Sequence, residues 1–109
     1  PIVAINYFLQ VHSDSKDAAN AQYWLAEANY VSKTYPQALT EFSKVIERYP
    51  ASSKGADAKL KLGFTQYELG QYDESRIELT RLRAQFPNSS VASLAQQRLE
   101  RMAREGHEI

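Results

Sequence analysis

With 109 residues, 13 basic and 13 acidic side chains and no cysteine, the chain is the size of one small domain and has no means of forming a disulfide. Surface scaling for its mass predicts about 6,000 Å² exposed when folded against roughly 18,000 Å² unfolded, enough burial for an ordinary core without a metal. Zero net charge argues against nucleic acid as a partner, because phosphate binding needs a basic surplus on one face.

The longest apolar stretches, Val3 to Ile5 and Tyr7 to Leu9, fall far below the roughly 20 residues of a membrane-spanning helix, so no membrane insertion is expected. No basic leader with an apolar core opens the sequence, so an export signal is expected to lie outside these residues. Apolar and small residues recur every three or four positions, as in Ala21, Leu25, Ala28 and Ser32, then Leu39, Phe42, Val45, Ile46 and Tyr49. This spacing predicts helices over 2–12, 17–33, 36–49, 54–69, 73–86 and 91–104, and no stretch sustains the alternation of a strand. Tyr49-Pro50 and Phe86-Pro87 each end a helix, since the residue before proline is pushed out of the α region. Ser53 and Ser90 are placed to cap the helices that follow, Gly70 to close one in the left-handed region, and Pro36 to sit in a first turn. From Arg76 to Arg104 six arginines face only Glu78 and Glu100, which reads as a solvated basic face on the last helices.

A shift of 37 residues superimposes the sequence on itself: Leu25 on Leu62, Tyr30 on Tyr67, Tyr35 on Tyr72, Glu41 on Glu78, Pro50 on Pro87, and Ser52-Ser53 on Ser89-Ser90. A fixed period of this length implies stacked helix pairs. The expected organisation is one all-α domain: a half repeat over 1–15, repeats over 16–52 and 53–89, a capping helix over 90–105 and a tail over 106–109. Short turns make consecutive helices antiparallel neighbours, and the pairs are expected to wind into a right-handed solenoid.

Leu25-Ala26, Tyr30, Tyr35, Ala38, Phe42, Val45 and Pro50, repeated as Leu62-Gly63, Tyr67, Tyr72, Ser75, Leu79, Leu82 and Pro87, resemble the tetratricopeptide repeat, whose usual unit is 34 residues long. Lys33 and Ser75 depart from its glycine and alanine. The longer unit and its Tyr-Pro-x-Ser junction, with Asn20 to Ala28, Leu60 to Gly63 and Leu94 to Leu99, resemble the C-terminal domain of the periplasmic YbgF (CpoB) proteins of the Tol-Pal system. That resemblance implies a periplasmic domain cut from a longer protein with a trimerising coiled coil, and a non-enzymatic adaptor that binds TolA and coordinates peptidoglycan synthesis with outer-membrane constriction in cell division. A scaffold subunit of outer-membrane protein assembly, or another peptide-binding module of the same repeat, is the alternative.

No nucleophile has a base beside it: the histidines are His12 at a helix junction and His107 in a tail expected to fray, and Asp14 and Asp17 lack a paired metal-binding spacing. Gly55, Gly63, Gly70 and Gly106 are isolated, so no glycine-rich loop opens a helix for a nucleotide. No catalytic residue, metal or cofactor is expected. By the resemblance, the first helix of each pair lines a groove that places Asn20, Tyr23, Glu27, Tyr30 and Val31, then Asp57, Leu60, Phe64, Tyr67 and Glu68, then Leu94, Gln97, Arg101 and Arg104 toward a protein or peptide partner. A co-chaperone clamp for a terminal carboxylate does not fit, because Glu27 and Phe64 stand where asparagine is required. Trp24, Tyr35, Tyr49, Tyr72 and Phe86 read as packing residues. Helix 2–12 has no preceding partner for Ile2, Ile5, Phe8 and Leu9, so self-association through that face is expected.

Overall fold

A computed structural model describes the backbone of residues 2–11 and 17–107 and the side chains of 2–7 and 17–107. Six helices follow in order among the described residues: α1 (Ile2–Val11), α2 (Ala18–Val31), α3 (Tyr35–Arg48), α4 (Gly55–Glu68), α5 (Tyr72–Gln85) and α6 (Ser90–Arg104). Their bounds fall within a residue or two of those expected from periodicity and proline. Each helix packs against its neighbours in sequence, and α4 also touches α6. The result is an all-α repeat of helix pairs extending 44 × 28 × 18 Å. Phe8, Leu9, His12, Ser13 and Asp14, singled out above, lie outside the residues whose side chains are described.

Small residues set the spacing within each pair. Ala26 on α2 and Ala38 on α3 are fully buried, in a cluster with Tyr23, Phe42, Val45 and Ala58. Their counterparts 37 residues on are Gly63 and Ser75, and there the approach is closer. A methyl group at Gly63 would stand 2.7 Å from Leu79 Cδ2, inside van der Waals contact. Ser75 Oγ donates to the Gly63 carbonyl oxygen at 2.7 Å, so the hydroxyl that replaces alanine's methyl is satisfied across the helix pair. This second cluster adds Leu60, Tyr67, Leu82, Val91, Ala95 and Met102 from α4, α5 and α6.

The first helix of every pair ends alike. Thr34 N–H donates to Asn29 O, Gln71 N–H to Gln66 O and His107 N–H to Met102 O, the six-to-one bond of a Schellman cap. The residue before each donor takes positive φ: Lys33 62°, Gly70 78° and Gly106 80°. Gly70 thus closes α4 as expected, whereas Lys33 adopts the same conformation against the steric preference of an L side chain. His107 is not frayed. Its ring stacks on Tyr72 at 3.8 Å and 11°, anchored by the Gly106 cap.

The expected serine caps need correction. α6 is capped by Ser89, one residue before Ser90; its Oγ accepts from Ala92 N–H. α4 takes Lys54, not Ser53, at its cap position and has no side-chain cap bond. Relative to α6, α4 begins two residues late, because Gly55 corresponds to Ala92. The cause lies one residue past each proline. Asn88 takes φ 65° and turns the chain sharply into Ser89, a conformation asparagine tolerates and its counterpart Ala51 does not.

Two stability outcomes follow. Gly63→Ala, which drives a methyl into Leu79, should lower unfolding free energy by about 1–3 kcal/mol in urea denaturation. Lys33→Gly, which relieves the left-handed strain, should raise it by up to about 1 kcal/mol.

Candidate functional site

Helices α2, α4 and α6 lie side by side, and one register runs across all three. Trp24, Lys61 and Arg98 are equivalent under the 37-residue shift, as are Glu27, Phe64 and Arg101, and Tyr30, Tyr67 and Arg104. Lys61 reaches back onto α2, with Nζ 3.2 Å from Glu27 Oε2 and 5.1 Å from the Tyr30 ring centroid. Arg98 repeats the move one unit later, its guanidinium carbon 4.0 Å from the Phe64 centroid and 5.2 Å from that of Tyr67. Its positive charge also acts on the Tyr30 hydroxyl of α2, favouring the ionised form. Arg101 stands 5.4 Å over Tyr67 and pairs with Glu105 at 3.2 Å.

The groove residues expected from the sequence divide into two sets. Tyr23, Leu60 and Tyr67 are buried: the Tyr23 ring meets Phe42 edge-on at 5.7 Å, and Leu60 and Tyr67 belong to the core of α4, α5 and α6. Packing consumes these side chains: Tyr23 and Leu60 occupy one repeat position, and Tyr67 is buried although its counterpart Tyr30 stays half-buried. Glu27, Tyr30, Asp57 and Phe64 are half-buried on the face, and Asn20, Val31, Glu68, Leu94, Gln97, Arg101 and Arg104 are exposed there. The row Glu27, Phe64, Arg101 therefore passes from acid through ring to base along the stack. Trp24, expected to pack, is instead 49% exposed, with Lys54 Nζ 5.1 Å over its ring. Arg98 is among the arginines expected on a solvated basic face, yet it lies over two rings, and Lys61 is not among the expected groove residues; their common register with Trp24 under the shift is the signal in the sequence.

Electrostatics tie the tyrosines into the same face. Burial, reinforced by the charges of Glu27 and Asp57, holds the Tyr23 hydroxyl well above its ordinary range. Burial also raises Tyr30, against the opposing charge of Arg98. Two charged atoms on the face are buried without a hydrogen-bond partner, Glu27 Oε1 and Arg98 Nη1. Among the described residues, no group of three His, Asp or Glu side chains is placed to hold a metal ion.

Two family models, both described as tetratricopeptide repeat, match residues 32–99 and 3–53. The chain belongs to the tetratricopeptide repeat family. Comparison with curated proteins finds no match. Tetratricopeptide repeats serve as protein-binding modules, and the face described above is the layer of first helices that such solenoids turn toward partners.

Two measurements check this site. Because Tyr23 and Tyr30 hold their protons more tightly when folded than the ordinary value of 10.0, their contribution is intact below pH 10 and falls as pH rises beyond it; a stability profile by denaturant midpoint should decline there. Arg98→Ala should cost about 1–2 kcal/mol by losing contact with two ring faces, and Lys61→Ala a similar amount, since it removes one ring contact and the partner of the half-buried Glu27 carboxylate.

Proposed function

We propose that the chain is a non-enzymatic adaptor that binds an extended segment of another protein along the α2–α4–α6 face. The observation that carries this reading is the accessible row of acid, rings and base along that face, Glu27, Tyr30 and Phe64 half-buried and Arg101 exposed. A polypeptide laid across the face gains contact area from the rings of Tyr30 and Phe64, while the charged groups around them fix its register. The exposed Arg101 and Arg104 at the α6 end add charge for an acidic residue of the partner.

The setting rests on the resemblance carried by Asn20 to Ala28, Leu60 to Gly63 and Leu94 to Leu99. By it, the domain works in the periplasm of a Gram-negative envelope, binds TolA, and links peptidoglycan synthesis to outer-membrane constriction during division. Titration calorimetry with the TolA periplasmic region should show saturable binding. Arg101→Glu, at an exposed position, should weaken it about tenfold. Absence of binding would remove TolA as the partner, and binding indifferent to Arg101→Glu would move the interface off this face.

Self-association is a second element of the proposal. On α1, Ile2, Val3 and Tyr7 are exposed, at 37%, 81% and 68%, and Ile5 is half-buried. Sedimentation velocity should reveal concentration-dependent association that Tyr7→Lys suppresses; a clean monomer at high concentration would end this element of the proposal.

A further inference from the structure

The two junctions between helix pairs share the sequence Pro-x-Ser-Ser, Pro50 to Ser53 and Pro87 to Ser90, yet their first serines have different fates. Ser89 Oγ donates to Phe86 O and accepts from Ala92 N–H. Ser52 Oγ is buried with no hydrogen-bond partner. The late start of α4 is responsible, since the backbone turn through Ser52 and Gly55 replaces the capped entry found at α6. Beside Ser52 lies a cavity of about 350 Å³ between α3, the start of α4 and the end of α5. Ile46, Pro50, Ala56 and Phe86 supply its apolar lining. Its polar lining includes Lys59, whose Nζ donates to the neutral amide oxygen of Gln85 at 3.1 Å.

We infer that this cavity binds the C-terminal residue of a partner peptide, an apolar side chain together with its free carboxylate. The apolar lining takes the side chain. Lys59 is the ionised residue of the lining and no acid accompanies it, so the complementary ligand charge is negative. A carboxylate is a stronger acceptor for that ammonium than the Gln85 amide it now bonds. The volume stands at the small end of ligand pockets, which suits one terminal residue rather than a longer segment. None of the lining residues belongs to the row of Tyr30, Phe64 and Arg98, so this site stands or falls separately from the α2–α4–α6 face.

The test titrates the isotope-labelled 109-residue chain with N-acetyl-phenylalanine and, separately, with N-acetyl-phenylalaninamide, following backbone amide shifts. The acid should produce saturable shifts centred on Ser52 to Lys59 and Phe86, and the amide should bind about tenfold more weakly. Lys59→Gln removes the cation, and Gln85→Glu places a competing carboxylate beside it; each should weaken the acid about tenfold while helicity by circular dichroism is unchanged. Equal affinity for acid and amide, shifts centred elsewhere, no saturation, or indifference to both variants would overturn the inference. So would shifts at these residues that grow with protein concentration alone, which would mean that a second copy fills the cavity.

Discussion

Everything on the α2–α4–α6 face depends on how closely two helices approach inside each pair. At Gly63 the gap to Leu79 leaves no room for a methyl group, and at Ala26 and Ala38 no surface remains exposed. Only the smallest side chains permit that distance, and a repeat stack propagates it, because each pair contacts its neighbours through the same two helices. A larger residue at any of these positions would tilt one helix and shift the register by which Lys61 finds Glu27 and Arg98 finds Phe64. The hydrogen bond from Ser75 to the Gly63 carbonyl shows how a polar atom can occupy such a position when its partner is the facing backbone.

The cations of the face act between pairs, as the small residues act within them. Lys61 and Arg98 each lie across the aromatic surface of the preceding unit, so the rings that a partner would meet already carry a protein cation. Arg98 is the more consequential of the two. Its planar guanidinium lies over both Phe64 and Tyr67, a stacking that a lysine ammonium cannot reproduce. The face is thus an alternation of rings and charges whose outermost members, the exposed Arg101 and Arg104, have no further unit to cover among the described residues.

The two ends of the stack differ in character. On α6 the positions equivalent to the buried Ala26 and Gly63 and to Tyr23 and Leu60 carry Glu100 and Gln97, both exposed. A charged group thus stands on α6 where the two preceding first helices bury a small residue. On α1, by contrast, Val3 and Tyr7 leave apolar surface in water. The junctions are unequal too, and the difference begins one residue past each proline: asparagine at 88 takes positive φ and the serine after it caps α6, whereas the serine after Ala51 has no hydrogen-bond partner.

Helix bounds, the 37-residue unit, Gly70 as a cap and the helix-pair architecture were all legible in the chain, because they rest on local terms: apolar spacing, the backbone limits of proline and glycine, and repetition that reinforces each weak signal. The allocation of side chains between core and face was not. Tyr23, Leu60 and Tyr67 share spacing with residues that stay accessible, and their burial follows from how far the second helix of each pair leans over them. Lys61 and Arg98 looked like ordinary solvated charges until the neighbouring pair brought rings beneath them. Ser53 and Ser90 were sound cap candidates by residue type, but the cap is chosen by the φ of the residue after proline. Local propensity names the residues able to play a part; the distance between elements far apart in sequence decides which of them does, since burial and pairing energies depend on what stands opposite.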